Sequence, residues 1–132
     1  MTVLSAIITP TNVVTVAPGT DGNVLTSDGT AWASQAPAAG FPEPQLVGAN
    51  ASAASGQFLV ATAGSITITL PATPSAGDYV VVKDGTGAAA TTPFTVARNA
   101  SNIAASATDL TFNKNYAEIT MTYIDGTIGW SV

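Results

Sequence analysis

The sequence of 132 residues contains no cysteine and no histidine. Without these residues the chain cannot form a disulfide, a zinc site of the usual Cys/His kind, or a Ser-His or Cys-His nucleophile. The commonest general base near neutral pH is missing as well. We therefore expect a protein that is not an enzyme and that holds no metal and no cofactor.

Charged residues are also scarce, at 8% of the chain, against about 25% in a typical soluble domain. The basic residues are Lys83, Arg98 and Lys114, and the formal net charge is −5. So few scattered cations cannot neutralise a nucleic-acid backbone or hold the chain on an anionic bilayer. No apolar run approaches the roughly 18 residues that span a membrane. Because interface cores are depleted in charge, the neutral surface predicts a homo-oligomer.

In place of charge, the chain holds short β-rich runs separated by turn clusters, at a spacing of roughly ten residues. No segment shows a sustained helical period of apolar residues. This pattern predicts an all-β protein with a small antiparallel β-sandwich or barrel as its head. Three zones follow from the composition: a β-rich N-terminal arm over residues 1–35, a proline-rich linker over residues 36–44 and the head domain over residues 45–132.

The strands predicted in the arm are short, and an isolated hairpin is only marginally stable in water. We therefore expect the arm to pair with a neighbouring subunit or another protein and to bury its apolar side chains there. The residues predicted to serve oligomerisation and attachment are Val3, Leu4, Ile7, Ile8, Val13, Val14 and Val16.

The clearest local signal is Asp125-Gly126 between two alternating runs. Asp-Gly favours a two-residue type I′ turn, because both positions need a positive φ. The resulting register predicts that Tyr123 faces Ile128, with Trp130 and the other large apolar side chains on the same buried face. Tyr123 and Trp130 are then expected to pack in the core rather than to form a ligand platform.

The tripeptide Asp-Gly-Thr occurs three times, starting at Asp28, Asp84 and Asp125. A calcium site would need several carboxylates and carbonyls converging on one ion. Tight turns favour Asp and Gly on their own account. We interpret the three tripeptides as turns and predict no metal site.

Tyr116 follows the polar turn Asn113-Lys114-Asn115 and is the aromatic residue predicted to be most exposed. Exposed rings with a polar atom form flat apolar platforms against sugar faces. Tyr116 is therefore the candidate contact for a glycan.

A longer pattern joins several of these runs. Residues 66–85 read Ile-Thr-Ile-Thr-Leu-Pro-Ala-Thr-Pro-Ser-Ala-Gly-Asp-Tyr-Val-Val-Val-Lys-Asp-Gly, residues 94–99 read Phe-Thr-Val-Ala-Arg-Asn, and residues 123–132 end in Gly-Trp-Ser-Val. These runs resemble the C-terminal domains of bacteriophage tail-fibre and related virion proteins. The shared elements are a strand ending in Leu-Pro, a Gly-Asp entry to a Val-rich strand, a Thr-Val-x-Arg-Asn strand and a final Gly-Trp.

A second resemblance lies upstream, where residues 18–32 read Pro-Gly-Thr-Asp-Gly-Asn-Val-Leu-Thr-Ser-Asp-Gly-Thr-Ala-Trp. This run is similar to a short Gly-rich element of phage fibres and collar proteins, which tends to lie between an attachment region and a globular head. Together the resemblances imply a structural virion protein, a homotrimer of β-sandwich-like heads mounted on the particle by its N-terminal region. No long shaft separates the two elements here. That leaves open a short head fibre, a collar or tail accessory, or a capsid decoration protein. A carbohydrate-binding module that recognises a host surface glycan through Tyr116 is the separate alternative.

Overall fold

The computed structural model describes residues 24–27, 32–35 and 40–132. The chain divides into two compact units, Met1–Gly40 and Phe41–Val132. In the first unit, strands β1 (Val24–Ser27) and β2 (Trp32–Gln35) pair antiparallel, with Ser27 opposite Trp32. The zone boundaries predicted at residues 35 and 44 stay predictions.

Nine strands make up the second unit. They are β3 (Pro44–Val47), β4 (Ala51–Ser52), β5 (Gln57–Ala61), β6 (Thr67–Thr69), β7 (Tyr79–Asp84), β8 (Phe94–Ala97), β9 (Leu110–Phe112), β10 (Glu118–Tyr123) and β11 (Trp130–Ser131). No helix occurs in any of the described ranges. The prediction of an all-β protein is confirmed for this part of the chain.

The strands of the second unit form two sheets, one of five strands in the order β11-β10-β7-β5-β3 and one of four in the order β4-β6-β8-β9. From β3 to β8 the chain crosses to the other sheet after every strand. Strands that return to the same sheet therefore run in the same direction, and β3-β5, β5-β7, β4-β6 and β6-β8 are parallel pairs. Both sheets are mixed and open, so the expectation of an antiparallel sandwich or barrel was wrong in its strand directions and in the barrel option.

The hydrophobic core lies between the two sheets. Alternation along β7 turns Val80 and Val82 towards it, and alternation along β8 does the same for Phe94 and Val96. The Phe94 ring stacks on Phe112 of β9 at a centroid distance of 4.6 Å. Burial of each such side chain stabilises the fold by about 1.5–3 kcal/mol. The unit thus has a continuous apolar centre and needs no disulfide to hold its layers together.

The closing hairpin differs from the predicted one in register. Tyr123 lies opposite Trp130, so the loop covers residues 124–129 and is longer than two residues. The Asp125 carboxylate accepts hydrogen bonds from the amides of Thr127 at 2.8 Å and Ile128 at 2.7 Å, which stabilises this wider turn. The register is shifted by an even number of residues, so the faces are preserved. Trp130 is fully buried as predicted, whereas Ile128 is 40% exposed.

A tight turn at residues 103–106 covers the outer edge of β11. Its central residues, Ala104 and Ala105, have φ values of 49° and 60°, as a type I′ turn requires. Their amides donate to the carbonyls of Trp130 and Ile128, and the amide of Trp130 donates to the carbonyl of Asn102, each at 2.8 Å. This edge of the five-stranded sheet is therefore closed by the chain itself.

Candidate functional site

Tyr116 is the best-placed side chain for contact with a ligand among the described residues. It lies in the connection between β9 and β10 and is 66% exposed. Its backbone has a φ of 57°, which is uncommon for a bulky residue. The ring lies across Gly87, where a Cβ atom would overlap it. Only glycine at position 87 allows the ring to lie there, so the two loops together present a flat aromatic surface.

The buried carboxylate of Asp84 holds these two loops in place. It is 1% exposed, at the end of β7. It accepts hydrogen bonds from the amide and hydroxyl of Thr86 at 2.8 and 2.7 Å, from the amide of Tyr116 at 3.0 Å and from the amide of Ala89 at 3.4 Å. The strained backbone of Tyr116 is thus fixed by a charge-assisted hydrogen bond.

These hydrogen bonds also decide the protonation state of Asp84. Burial alone would raise its pKa, but the hydroxyl of Thr86 and the backbone amides of Tyr116, Thr86 and Ala89 together lower the pKa from 3.8 to about 2. Asp84 therefore remains ionised at neutral pH. With its oxygens occupied by four hydrogen bonds, this carboxylate is an anchor for the loops rather than a proton acceptor for a substrate.

A groove of about 360 Å³ is lined by residues that precede and follow Tyr116 in the sequence, although Tyr116 itself is not part of the lining. It lies where β9 of one sheet and β10 of the other diverge. Its lining consists of Leu110, Thr111, Phe112, Asn113, Lys114, Ala117, Glu118 and Ile119. The lining combines apolar side chains with an amide, an ammonium and a carboxylate group. It fits the general description of small-ligand sites, which are mostly apolar with a few polar groups.

Two of the chain's charged side chains meet next to the site. Lys83 Nζ lies 3.5 Å from Glu118 Oε2 and also 3.5 Å from the carbonyl oxygen of Tyr116. Both side chains are substantially exposed, at 34% and 43%. Such a pair contributes only about 0–1 kcal/mol to stability. The two charges of the pair offset each other, and Lys114 in the groove lining adds a positive charge nearby.

The arrangement offers no group of three potential metal ligands of the His, Cys, Asp or Glu type within the described residues. The described residues contain no helix, and therefore none that could span a bilayer. What the site can do chemically is to stack a ring on an apolar ligand face and to exchange hydrogen bonds with its hydroxyl groups.

The structure places the predicted residues as follows. Tyr116 is exposed, as expected. Trp130 is fully buried, and Tyr123 packs against it with ring centroids 5.6 Å apart. Asp84 and Asp125 both lie in turns, and Asp28 lies outside the described residues. The predicted attachment residues, Val3, Leu4, Ile7, Ile8, Val13, Val14 and Val16, also lie outside the described residues and stay predictions.

Two residues of the site do not stand out in the sequence. Asp84 is recognisable there only as a turn residue, and Gly87 only as part of the Asp-Gly-Thr-Gly run. The available signal was the density of Asp and Gly at the end of a Val-rich strand. It predicts a turn, but it cannot show that a loop some thirty residues further along the chain folds back onto it.

No family model matches the chain, and no curated protein matches its sequence.

Proposed function

We propose that the chain is a structural component of a tailed-phage virion. In this proposal it is a short fibre-like homotrimer, anchored on the particle by residues 1–35, with the head of residues 45–132 projecting outward. The activity of the protein is assembly. Its strands form backbone hydrogen bonds with other subunits and other virion proteins, and its apolar side chains are buried against them. A capsid decoration protein would use the same chemistry at another position on the particle.

The observation that carries the proposal is that the residues of the fibre-like pattern hold the framework of the head. Asp78, from the Gly-Asp element, accepts hydrogen bonds from the amide of Ser75 at 2.8 Å and the hydroxyl of Ser55 at 2.9 Å. Its carbonyl accepts from the amide of Tyr123 at 2.8 Å. This one residue connects the starts of β5 and β7 with the end of β10.

The remaining elements of the pattern have similar roles. Asn99 donates from its side-chain amide to the carbonyl of Leu70 at 2.8 Å, which joins the Arg-Asn element to the Leu-Pro element. Trp130 of the Gly-Trp element is fully buried in the core. A pattern whose members fix turns and core contacts is what a scaffold needs, and this supports a structural role.

Deletion of residues 1–35 tests the proposal. The shortened chain is expected to remain soluble and to be absent from purified particles, because the anchoring side chains are gone. Quantitative immunoblotting of particles provides the measurement, and full-length Tyr116→Ala, which leaves the arm intact, is the matched control for normal incorporation. Normal incorporation of the shortened chain would contradict the proposal.

The mass of the full-length protein in solution tests the threefold symmetry separately. Light scattering is expected to give three times the chain mass of 13.1 kDa. A concentration-independent monomer would contradict the homotrimer.

Binding of a host surface glycan is the second candidate function, favoured by one observation: Tyr116 is 66% exposed in the loop between β9 and β10, and neighbouring residues of that loop line a groove with polar side chains. Isothermal titration with host polysaccharide is expected to detect binding that falls at least tenfold in Tyr116→Ala. Tyr116→Phe, which keeps the ring, should retain most of it. Equal binding by all three proteins, or no binding by any, would reject this function.

A further inference from the structure

Strand β3 is the open edge of the five-stranded sheet. The carbonyl of Val47 accepts from the amide of Thr62 at 2.8 Å, so Val47 directs its backbone groups towards β5. Alternate residues of a strand direct these groups to opposite sides. The amide and carbonyl of Leu46 therefore point away from the sheet, and no residue of the described ranges pairs with that side of β3. The opposite edge, at β11, is covered by residues 102–105.

The same edge carries the two most exposed large apolar side chains of the described residues. Leu46 is 76% exposed and Phe41 is 68% exposed. Phe41 packs edge-to-face on Phe58 of β5, with centroids 5.5 Å apart. Natural edge strands are usually protected from pairing by a lysine, a bulge or a covering segment. β3 is short and begins with Pro44, which are two further features that limit edge pairing. Beside Leu46, however, there is no lysine and no bulge, and no segment of the described residues covers it. Its exposed apolar side chain lies next to backbone groups that these residues leave unpaired.

We propose that β3 pairs antiparallel with β3 of a second copy of this chain, about a twofold axis at Leu46. In this register the two Leu46 residues exchange both of their free backbone hydrogen bonds. The amide of Gly48 in each copy meets the carbonyl of Pro44 in the other. Pro44 has no amide, but its position on the outward side of the strand means that no bond within the head is lost.

Charge favours a second copy as the occupant. From residue 41 to residue 52 the only charged side chain is Glu43. In the proposed register the two Glu43 residues are six positions apart, about 20 Å at 3.4 Å per residue. That exceeds the Debye length of about 8 Å at physiological ionic strength, so their repulsion is largely screened. The two Leu46 side chains lie on the same face of the continuous sheet and cover each other.

The inference concerns the head and does not depend on the proposed virion function. A trimer holds three such edges and cannot pair all of them internally. This contact therefore joins heads of different trimers, and it adds to the mass of the trimer only as the protein concentration rises. It adds a second interface to the one predicted for residues 1–35.

The absence of cysteine allows a direct test in the full-length chain. Across a hydrogen-bonded antiparallel pair the Cα atoms lie about 5.5 Å apart, which is within the range that a disulfide spans. Leu46→Cys is therefore expected to form a covalent dimer under mild oxidation. Position 46 is exposed, so the substitution leaves the core untouched. The rate of dimer formation on non-reducing gels is the measurement.

Val132→Cys is the matched control, because Val132 is also apolar and is 57% exposed. The proposal expects Leu46→Cys to form the dimer at least tenfold faster than the control at the same protein concentration. Equal rates for the two variants would overturn the proposal. It would also be overturned if a different partner occupied the β3 edge, so that the Leu46→Cys variant did not link to itself. Particle incorporation and the cross-linking rate are separate readouts, so either proposal can fail without the other.

Discussion

The same tripeptide, Asp-Gly-Thr, occupies two turns of the second unit and has a different role in each. At both Asp84 and Asp125 the carboxylate accepts a hydrogen bond of 2.8 Å from the amide of the threonine two residues later. This first hydrogen bond is the same in both turns. The two carboxylates differ in which other hydrogen-bond donors lie close to them.

Asp125 caps only its own loop, through the amides of Thr127 and Ile128. Asp84 is buried and also accepts from the amide of Tyr116, which is 32 positions away in the sequence. Tertiary packing has thus turned one copy of a common turn into the anchor of the Tyr116 platform, and the other remains a local turn. The comparison can be tested by making the same change at each turn.

The largest difference is expected from removal of the carboxylate. Asp84→Ala leaves several buried donors without a partner and should lower the free energy of unfolding by about 3 kcal/mol. Asp125→Ala removes an exposed cap and should cost about 0.5–1 kcal/mol. Urea denaturation of both variants measures the difference. Equal costs would show that the burial of Asp84 does not matter to stability.

A smaller loss of stability, with a similar difference between the two turns, is expected from changes at the glycines. A Cβ at Gly85 would lie 2.6 Å from Val60 Cγ1 and 3.0 Å from the carbonyl oxygen of Ala61, whereas nothing lies within 4 Å of a Cβ at Gly126. Gly85→Ala should therefore cost about 2 kcal/mol through overpacking. Gly126→Ala should leave stability unchanged or raise it by up to about 0.5 kcal/mol. Thermal unfolding distinguishes the two, and a neutral Gly85→Ala would contradict the close approach to β5.

The pH dependence of stability tests the role of the Asp84 carboxylate. Since its pKa is lowered in the folded protein, its carboxylate stabilises the fold fully above pH 3.8, and this contribution is lost as the pH falls from 3.8 towards about 2. The stability advantage of the wild type over Asp84→Asn should shrink across this range, by about 1.5–2 kcal/mol. Denaturant midpoints at a series of pH values provide the measurement. An advantage that is independent of pH would show that ionisation of Asp84 is not what holds the loops.

The smallest difference is expected from the threonine hydroxyls. Thr86 Oγ1 donates to Asp84 at 2.7 Å and accepts from the amide of Ala88 at 2.9 Å. Thr86→Val should cost about 1 kcal/mol. Thr127→Val serves as the control, because only the backbone of Thr127 takes part in its turn, and the expected change there is close to zero.

Much of this could be predicted from local sequence, because turn chemistry and strand periodicity are local properties. Asp-Gly-Thr predicted turns at both positions, and alternation placed Trp130 on the buried face although the hairpin register was wrong. An Asx-type cap can serve a two-residue turn or a wider one, and only the completed contacts with residues 102–105 select between them. Parallel pairing was not predicted, because the direction of a strand depends on how the chain crosses between the two sheets. The sequence of a single strand does not show these crossings.

The candidate site divides in the same way. Tyr116 was predictable as an aromatic residue in a polar turn. Its support by Asp84 and Gly87 was not, because β7 and the Tyr116 loop are adjacent only in the folded unit. The groove between β9 and β10 was not predictable either. These two strands belong to different sheets, and the order of strands in the sequence does not show how the sheets are placed.

The alternation of strands between the two sheets also has a consequence for how fast the second unit folds. Of the ladders within residues 41–132, only β8-β9 and β10-β11 join strands that follow each other in sequence. The others must close loops of intervening chain before any hydrogen bond forms, and β10 pairs with β7 across more than thirty residues. Folds dominated by such distant pairings reach the native state in milliseconds to seconds rather than microseconds. During that interval several strand edges have unpaired backbone groups at the same time. A low protein concentration during refolding should therefore favour units with correctly paired strands.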